Sequence, residues 1–221
     1  MAHTVHLWGR ISSLNVRKVV WAAQELDMAF QRTDAGASFG ITKTPEYLDK
    51  NPNALVPMME DGDFVLWESN VIVRYLCARY GVDLGLYPAD LQPRFDAERW
   101  MDWQQTTFNR AGGPAFLQLV RTAPEARQPA LVQASVAETE PLLGLLDAHL
   151  ADRAYMGGDA FGMADIPLGC EMHRWWGMRS SQFDACGVPR QEIQAFPHVQ
   201  RWFGQLLQRP ATRGVLDITL S

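Results

Sequence analysis

The stretch Asn51-Pro52-Asn53-Ala54-Leu55-Val56-Pro57-Met58-Met59-Glu60-Asp61-Gly62-Asp63-Phe64-Val65-Leu66-Trp67-Glu68-Ser69-Asn70 reads as loop, strand, turn, strand and helix start. Pro57-Met58-Met59-Glu60 and Phe64-Val65-Leu66-Trp67 are short, largely apolar runs flanking Asp61-Gly62. Glycine tolerates the positive φ of a tight hairpin turn, so two antiparallel strands are expected. Glu68-Ser69-Asn70 then opens a helix, with Val71, Ile72, Tyr75 and Leu76 as its expected buried stripe.

Toward the N-terminus, Val5-His6-Leu7-Trp8 is a short strand ended by Gly9. Val16, Val19, Val20 and Ala23 recur at the spacing of one helix face. Residues 29–33 suit a second strand, which makes the order βαβ followed by ββα. Toward the C-terminus the strand signal ends near residue 94. Residues 95–110 suit a long helix, expected to break at Gly112-Gly113-Pro114. Leu142, Leu143, Leu146 and Leu150 mark another helix. Val199, Trp202, Phe203 and Leu206 mark the last, with Pro197 in its first turn. The Gly- and Pro-rich stretch 81–93 suggests a linker, giving an α/β domain over 1–82, a connection over 83–93 and an all-α domain over 94–221.

The bulk properties narrow the function. A chain of 221 residues suits one large domain or two small ones. A net charge of −5 gives no electrostatic support for a nucleic-acid partner. No apolar run approaches the ~20 residues that span a bilayer. Met1-Ala2-His3-Thr4 lacks the basic and apolar regions of a signal peptide, and with no apolar run of spanning length a membrane partner is not expected. Cys77, Cys170 and Cys186 form no CxxC pair and no metal-ligand spacing, which points to a reducing cytoplasm and to no metal. Eight tryptophans suit a large core, with some available to line an apolar pocket.

Residues 51–57, running into Glu60-Asp61-Gly62-Asp63 and Leu66-Trp67-Glu68-Ser69, resemble the glutathione-binding core of the cytosolic glutathione transferases, in their bacterial, serine-type, theta/phi-like form. Phe161-Gly162-Met163-Ala164-Asp165-Ile166, Phe196-Pro197-His198-Val199-Gln200-Arg201-Trp202 and Arg209-Pro210 resemble the same family in the same order. The resemblance therefore covers nearly the whole chain. It implies a thioredoxin-like N-terminal domain, an all-helical C-terminal domain, glutathione as co-substrate, a small electrophile as second substrate, and a cytoplasmic homodimer active in detoxification.

It also implies roles for residues. In that family the Val56-Pro57 bond is cis, and the turn of Leu55, Val56 and Pro57 offers the Val56 backbone to the cysteinyl part of glutathione like an added strand. Taken alone, Pro57 reads as the start of a strand. Ser69 and Glu68 stand at a helix N-terminus, which holds anions. The resemblance gives Ser69 the γ-glutamyl carboxylate and Glu68 the γ-glutamyl ammonium, whereas the pair alone reads as a helix cap. Lys43 matches the phi-class partner of the glycyl carboxylate, although Thr42 replaces the usual histidine before it. Asp165 can bond back to Gly162, an acceptable N-cap.

Such enzymes use the thiolate of glutathione as nucleophile. A free thiol has a pKa of ~8.5, so the protein must stabilise the anion. The turn from Gly9 to Arg17 contains no tyrosine or cysteine for this task. In the serine-type classes the catalytic serine lies four residues before an arginine, which gives Ser13, counted from Arg17. Asn15 and Ser12 remain alternatives, and either serine also reads as a helix cap. Ile11, Trp103, Arg110, Phe116 and Trp175 are candidates for the acceptor pocket, with core packing as the plainer reading; Arg110 would favour anionic acceptors. Two other functions stay open. One is a glutathione-dependent isomerase of the zeta type, which shares Ser12-Ser13 before Arg17 but has Cys and Ser where Leu14 and Asn15 stand. The other is a non-catalytic glutathione-binding module. A serine hydrolase is excluded by the lack of GxSxG.

Overall fold

In the computed structural model, which describes residues 4–220, the strand β1 (Thr4–Trp8) buries Val5 and Leu7 by simple alternation. The helix α1 (Leu14–Glu25) carries the chain back to β2 (Ala29–Thr33), which pairs parallel to β1. A short helix α2 (Pro45–Leu48) precedes the hairpin of β3 (Met58–Asp61) and β4 (Phe64–Trp67), and α3 (Ser69–Tyr80) follows. β3 runs antiparallel to both β1 and β4, so the sheet order is β2-β1-β3-β4. This is the βαβ–ββα order of a thioredoxin-like unit.

The expected face of α1 is buried, but so are Arg17 and Lys18 between its apolar residues. Two expectations need correction here. The hairpin turn is Gly62-Asp63 rather than Asp61-Gly62, because Asp61 already pairs with Phe64. Gly62 supplies the positive φ of 61° at the first turn position. The buried stripe of α3 is Ile72, Val73, Leu76 and Cys77, while Val71 faces solvent. Asp61 then accepts hydrogen bonds from the hydroxyls of Tyr75 at 2.6 Å and Tyr80 at 2.7 Å, which ties the hairpin end to α3. Burial and the Asp61 carboxylate push the Tyr75 phenol up to about 12, so it stays a donor.

The chain divides into two compact units, one ending at Asp90 and one starting at Leu91. The second is helical: α4 (Leu91–Trp103), α5 (Asn109–Phe116), α6 (Pro129–His149), α7 (Asp165–Gly177), α8 (Ser180–Asp184) and α9 (Pro197–Leu207). The expected break at Gly112-Gly113-Pro114 does not occur. α4 runs into α5 through a wider π-type turn at Gln104–Phe108, and a second such turn at Leu117–Arg121 follows α5. Other side chains complete the backbone that Pro114 disturbs. Ser135 donates to the Ala111 carbonyl and accepts from the Ala115 N–H at 3.3 Å, so this rung passes through a hydroxyl. Arg174 donates to the Asn109 carbonyl at 3.3 Å.

α7 is buried on every face from Asp165 to Trp175, so its charged residues need partners inside the unit. Glu171 accepts from Gln104 at 2.6 Å and pairs with Arg174. Asp165 accepts from the N–H groups of Met156 and Gly162, both at 2.9 Å, and from the Trp202 indole at 2.7 Å. Among the described residues, no helix is long and apolar enough to cross a membrane.

Candidate active site

The end of β1 is built around a contact that no side chain at position 9 would allow. A Cβ on Gly9, whose φ is 147°, would stand 2.4 Å from Val16 Cγ2 and 3.1 Å from Val56 Cβ. The missing side chain lets α1 and the loop before β3 close on the same strand end. Ser13 follows in an extended conformation as the N-cap of α1. Its N–H donates to the Arg10 carbonyl and its carbonyl accepts from the Arg17 N–H, each at 3.0 Å. Its hydroxyl makes no capping bond. The first turn of α1 has no acidic residue, so its positive dipole end is not offset locally. Asn15 is half-buried, and its Oδ1 is enclosed without a hydrogen-bond partner among the described residues. Ser12 and Ile11 are half-exposed in the same turn.

The loop that reaches over this turn is tied from behind. Asn51, 1% exposed, donates from Nδ2 to the Leu55 carbonyl at 2.9 Å and accepts from the Asn53 N–H at 3.1 Å. The Tyr47 hydroxyl donates to the same carbonyl at 2.6 Å, and burial raises its pKa. The Leu55 side chain is 65% exposed. The next bond, Val56-Pro57, is cis. Val56 lies just past the β1–β3 ladder, and no backbone hydrogen bond to it is found among the described residues. An incoming extended chain can pair with a backbone edge of this kind.

Glu68 joins β4 to α3 with φ 75° and ψ 110°, a sparsely populated conformation for a residue with a side chain. Its side chain is exposed and caps nothing. Ser69, the first residue of α3, is buried, and its Oγ accepts from Lys18 Nζ at 3.5 Å. Lys43 is exposed in the loop before α2, whose cap is Thr44. The structure thus gathers Ser13, Asn15 and Val56 around the β1–α1 turn and couples Ser69 to α1. Lys18, Tyr47 and Asn51 are missed by the sequence reading; the one available signal is a lysine inside the apolar run 16–23.

Among the described residues, no hydrogen bond or ring contact joins the acceptor candidates of the helical unit. Trp103 packs against Trp100 and Phe108, with ring centres 5.2 and 5.4 Å away. Arg110 is exposed and lines a hollow of about 350 Å³ with Thr106, Glu138 and Leu142. Phe116 lies under the guanidinium groups of Arg121 and Arg174, at 5.4 and 5.6 Å. Trp175, 1% exposed, meets Phe183 edge-on in the core.

Comparison with known proteins decides the family. Residues 3–78 match the glutathione S-transferase N-terminal domain, and residues 109–210 match the C-terminal domain. The glutathione S-transferase GstB of Escherichia coli K12 is 40% identical over 98% of this chain and all of its own length. The chain belongs to the glutathione S-transferase family. Another member, glutathione S-transferase 3 of Zea mays, is 31% identical over 93% of this chain and 90% of its own. Among solved structures, the theta-class glutathione S-transferase of Xanthomonas axonopodis pv. citri with glutathione bound has a TM-score of 0.89 and 40% identity, covering 99% of this chain and all of that one. As a glutathione S-transferase, the protein has the fold that its sequence resemblance implies.

Proposed function

We propose that this glutathione S-transferase binds glutathione on its N-terminal unit, ionises the thiol at the β1–α1 turn, and adds the thiolate to a small electrophile. The Val56 backbone pairs with the cysteinyl residue. Ser69 and the α3 N-terminus receive the γ-glutamyl carboxylate, and Glu68 receives the neighbouring ammonium. Lys43, on the exposed loop, reaches toward the glycyl carboxylate.

Ser13 is the main thiolate donor in this account, with the Asn15 amide and Ser12 beside it. The observation that carries the reading is that the Ser13 hydroxyl heads a helix without capping it. A hydroxyl kept out of its own helix is available to a ligand, and donation to a thiolate stabilises the charged form. The N–H groups of α1 add to this.

The helical domain, residues 94–221, supplies an apolar acceptor pocket, with Trp103 and Phe116 as apolar surface and Arg110 as the cationic group, while 1–82 forms the glutathione domain. Trp175 contributes to the core behind it. The protein acts as a cytoplasmic homodimer in detoxification, without a metal. Calorimetry with glutathione, followed by turnover on a broad panel of electrophiles, tests the reading. Binding with turnover supports it. Binding without turnover would indicate a module, and turnover confined to cis-dienoic acids would indicate an isomerase.

A further inference from the structure

The buried lysine of α1 has no part in the account above. Lys18 is 0% exposed and its Nζ lies 3.5 Å from Ser69 Oγ, itself on a residue 4% exposed. Burying an ammonium is costly unless it is hydrogen-bonded. The α3 end that Ser69 opens is positive, with the exposed Glu68 at its N-cap. The α3 N-terminus and a buried ammonium therefore meet at the Ser69 hydroxyl.

We infer that Lys18 is a positioning residue for carboxylate capture: its ammonium, donating to Ser69 Oγ, turns the serine hydrogen outward and adds positive charge behind it. A serine hydroxyl has one hydrogen and two lone pairs. With one lone pair accepting from Lys18, the hydrogen is directed away from the lysine, toward an anion in front of α3. The chain ammonium–hydroxyl–carboxylate polarises along its length, which strengthens the outer bond. The 3.5 Å separation is long for a hydrogen bond, so much of the effect is Coulombic. The inference rests on the reading that Ser69 holds the γ-glutamyl carboxylate, and it names the group that makes that serine selective for an anion.

The test compares two ligands on the same protein: glutathione and 4-aminobutyryl-cysteinyl-glycine, which lacks only that carboxylate. Calorimetry gives the ratio of their dissociation constants, which does not depend on the folded fraction. Wild type should prefer glutathione by at least about tenfold, the effect of one charge-assisted contact. Lys18→Met should remove most of that preference, and KM for glutathione should rise more than kcat falls. Lys18→Gln keeps a neutral donor in the buried position; it should lose part of the preference and serves if the methionine variant does not fold. A preference kept in full by Lys18→Met, or by Lys18→Gln when only that variant folds, overturns the inference and leaves the Ser69 reading intact. Equal affinity of wild type for both ligands overturns the Ser69 reading, and the inference with it.

Discussion

The buried amide of Asn51 holds the Leu55 carbonyl at 2.9 Å, and through it the backbone that presents Val56. Among the described residues its hydrogen bonds go to Tyr47, Asn53, Ala54 and Leu55, so it fixes the loop itself. Tyr47 supports the same carbonyl, so the loop has two tethers of different strength.

Asn51→Ala should therefore loosen the loop without unfolding the domain. Two hydrogen bonds are lost, and a net cost of about 1–2 kcal/mol in stability follows. KM for glutathione should rise several-fold, with kcat less affected. Tyr47→Phe, which removes one bond, should show a smaller change in the same direction. Steady-state kinetics and thermal melting check both.

A second prediction concerns the pH dependence of stability. Burial pushes the Asp165 carboxyl up to about 6, against three N–H donors that favour its charged form. Its folded pKa is thus above the unfolded value of ~3.9. The stability this group contributes is full below about pH 4 and is lost as the pH rises through about 6. Asp165→Asn should flatten that part of the profile between about pH 4 and 6. It should also lower stability by about 1–3 kcal/mol, because an amide NH₂ would face the Gly162 N–H. Urea titrations at several pH values measure both effects.

A third prediction follows from the ion pair in α7. Glu171→Ala leaves the Arg174 guanidinium buried without its carboxylate and should cost about 3–5 kcal/mol. Replacing both residues with apolar ones of similar size, as in Glu171→Leu with Arg174→Met, should recover much of the loss. A single variant as stable as wild type would show that the pair does not matter to the helical unit.

The strands, α1 and α9 are legible in the sequence because their apolar periods are clean and Gly9, Gly62 and Pro197 punctuate them. The stripe of α3 is not, since Val71-Ile72-Val73 offers three apolar residues in a row and periodicity cannot choose among their registers. The long helix across Gly112-Gly113-Pro114 is hidden for a different reason. Its continuity draws on Ser135 and Arg174, which lie far away in sequence and bond the backbone on either side of Pro114. At the site, motif spacing leads to Ser13, Val56, Glu68 and Ser69. Lys18 escapes because a charged residue in a helical run is expected to face water, whereas tertiary packing buries it beside Ser69 of α3.

The central claim is that the Ser13 hydroxyl stabilises the thiolate of bound glutathione. It is tested most directly by following the ultraviolet band of the thiolate against pH in wild type, Ser13→Ala and Asn15→Ala. Wild type should titrate below the ~8.5 of a free thiol. Ser13→Ala should still bind glutathione but titrate about one to two units higher, with kcat near neutral pH lower by roughly one to two decades. Asn15→Ala should move the band less. An unchanged titration in Ser13→Ala, with a raised one in Asn15→Ala, would contradict the account and assign the thiolate to the asparagine.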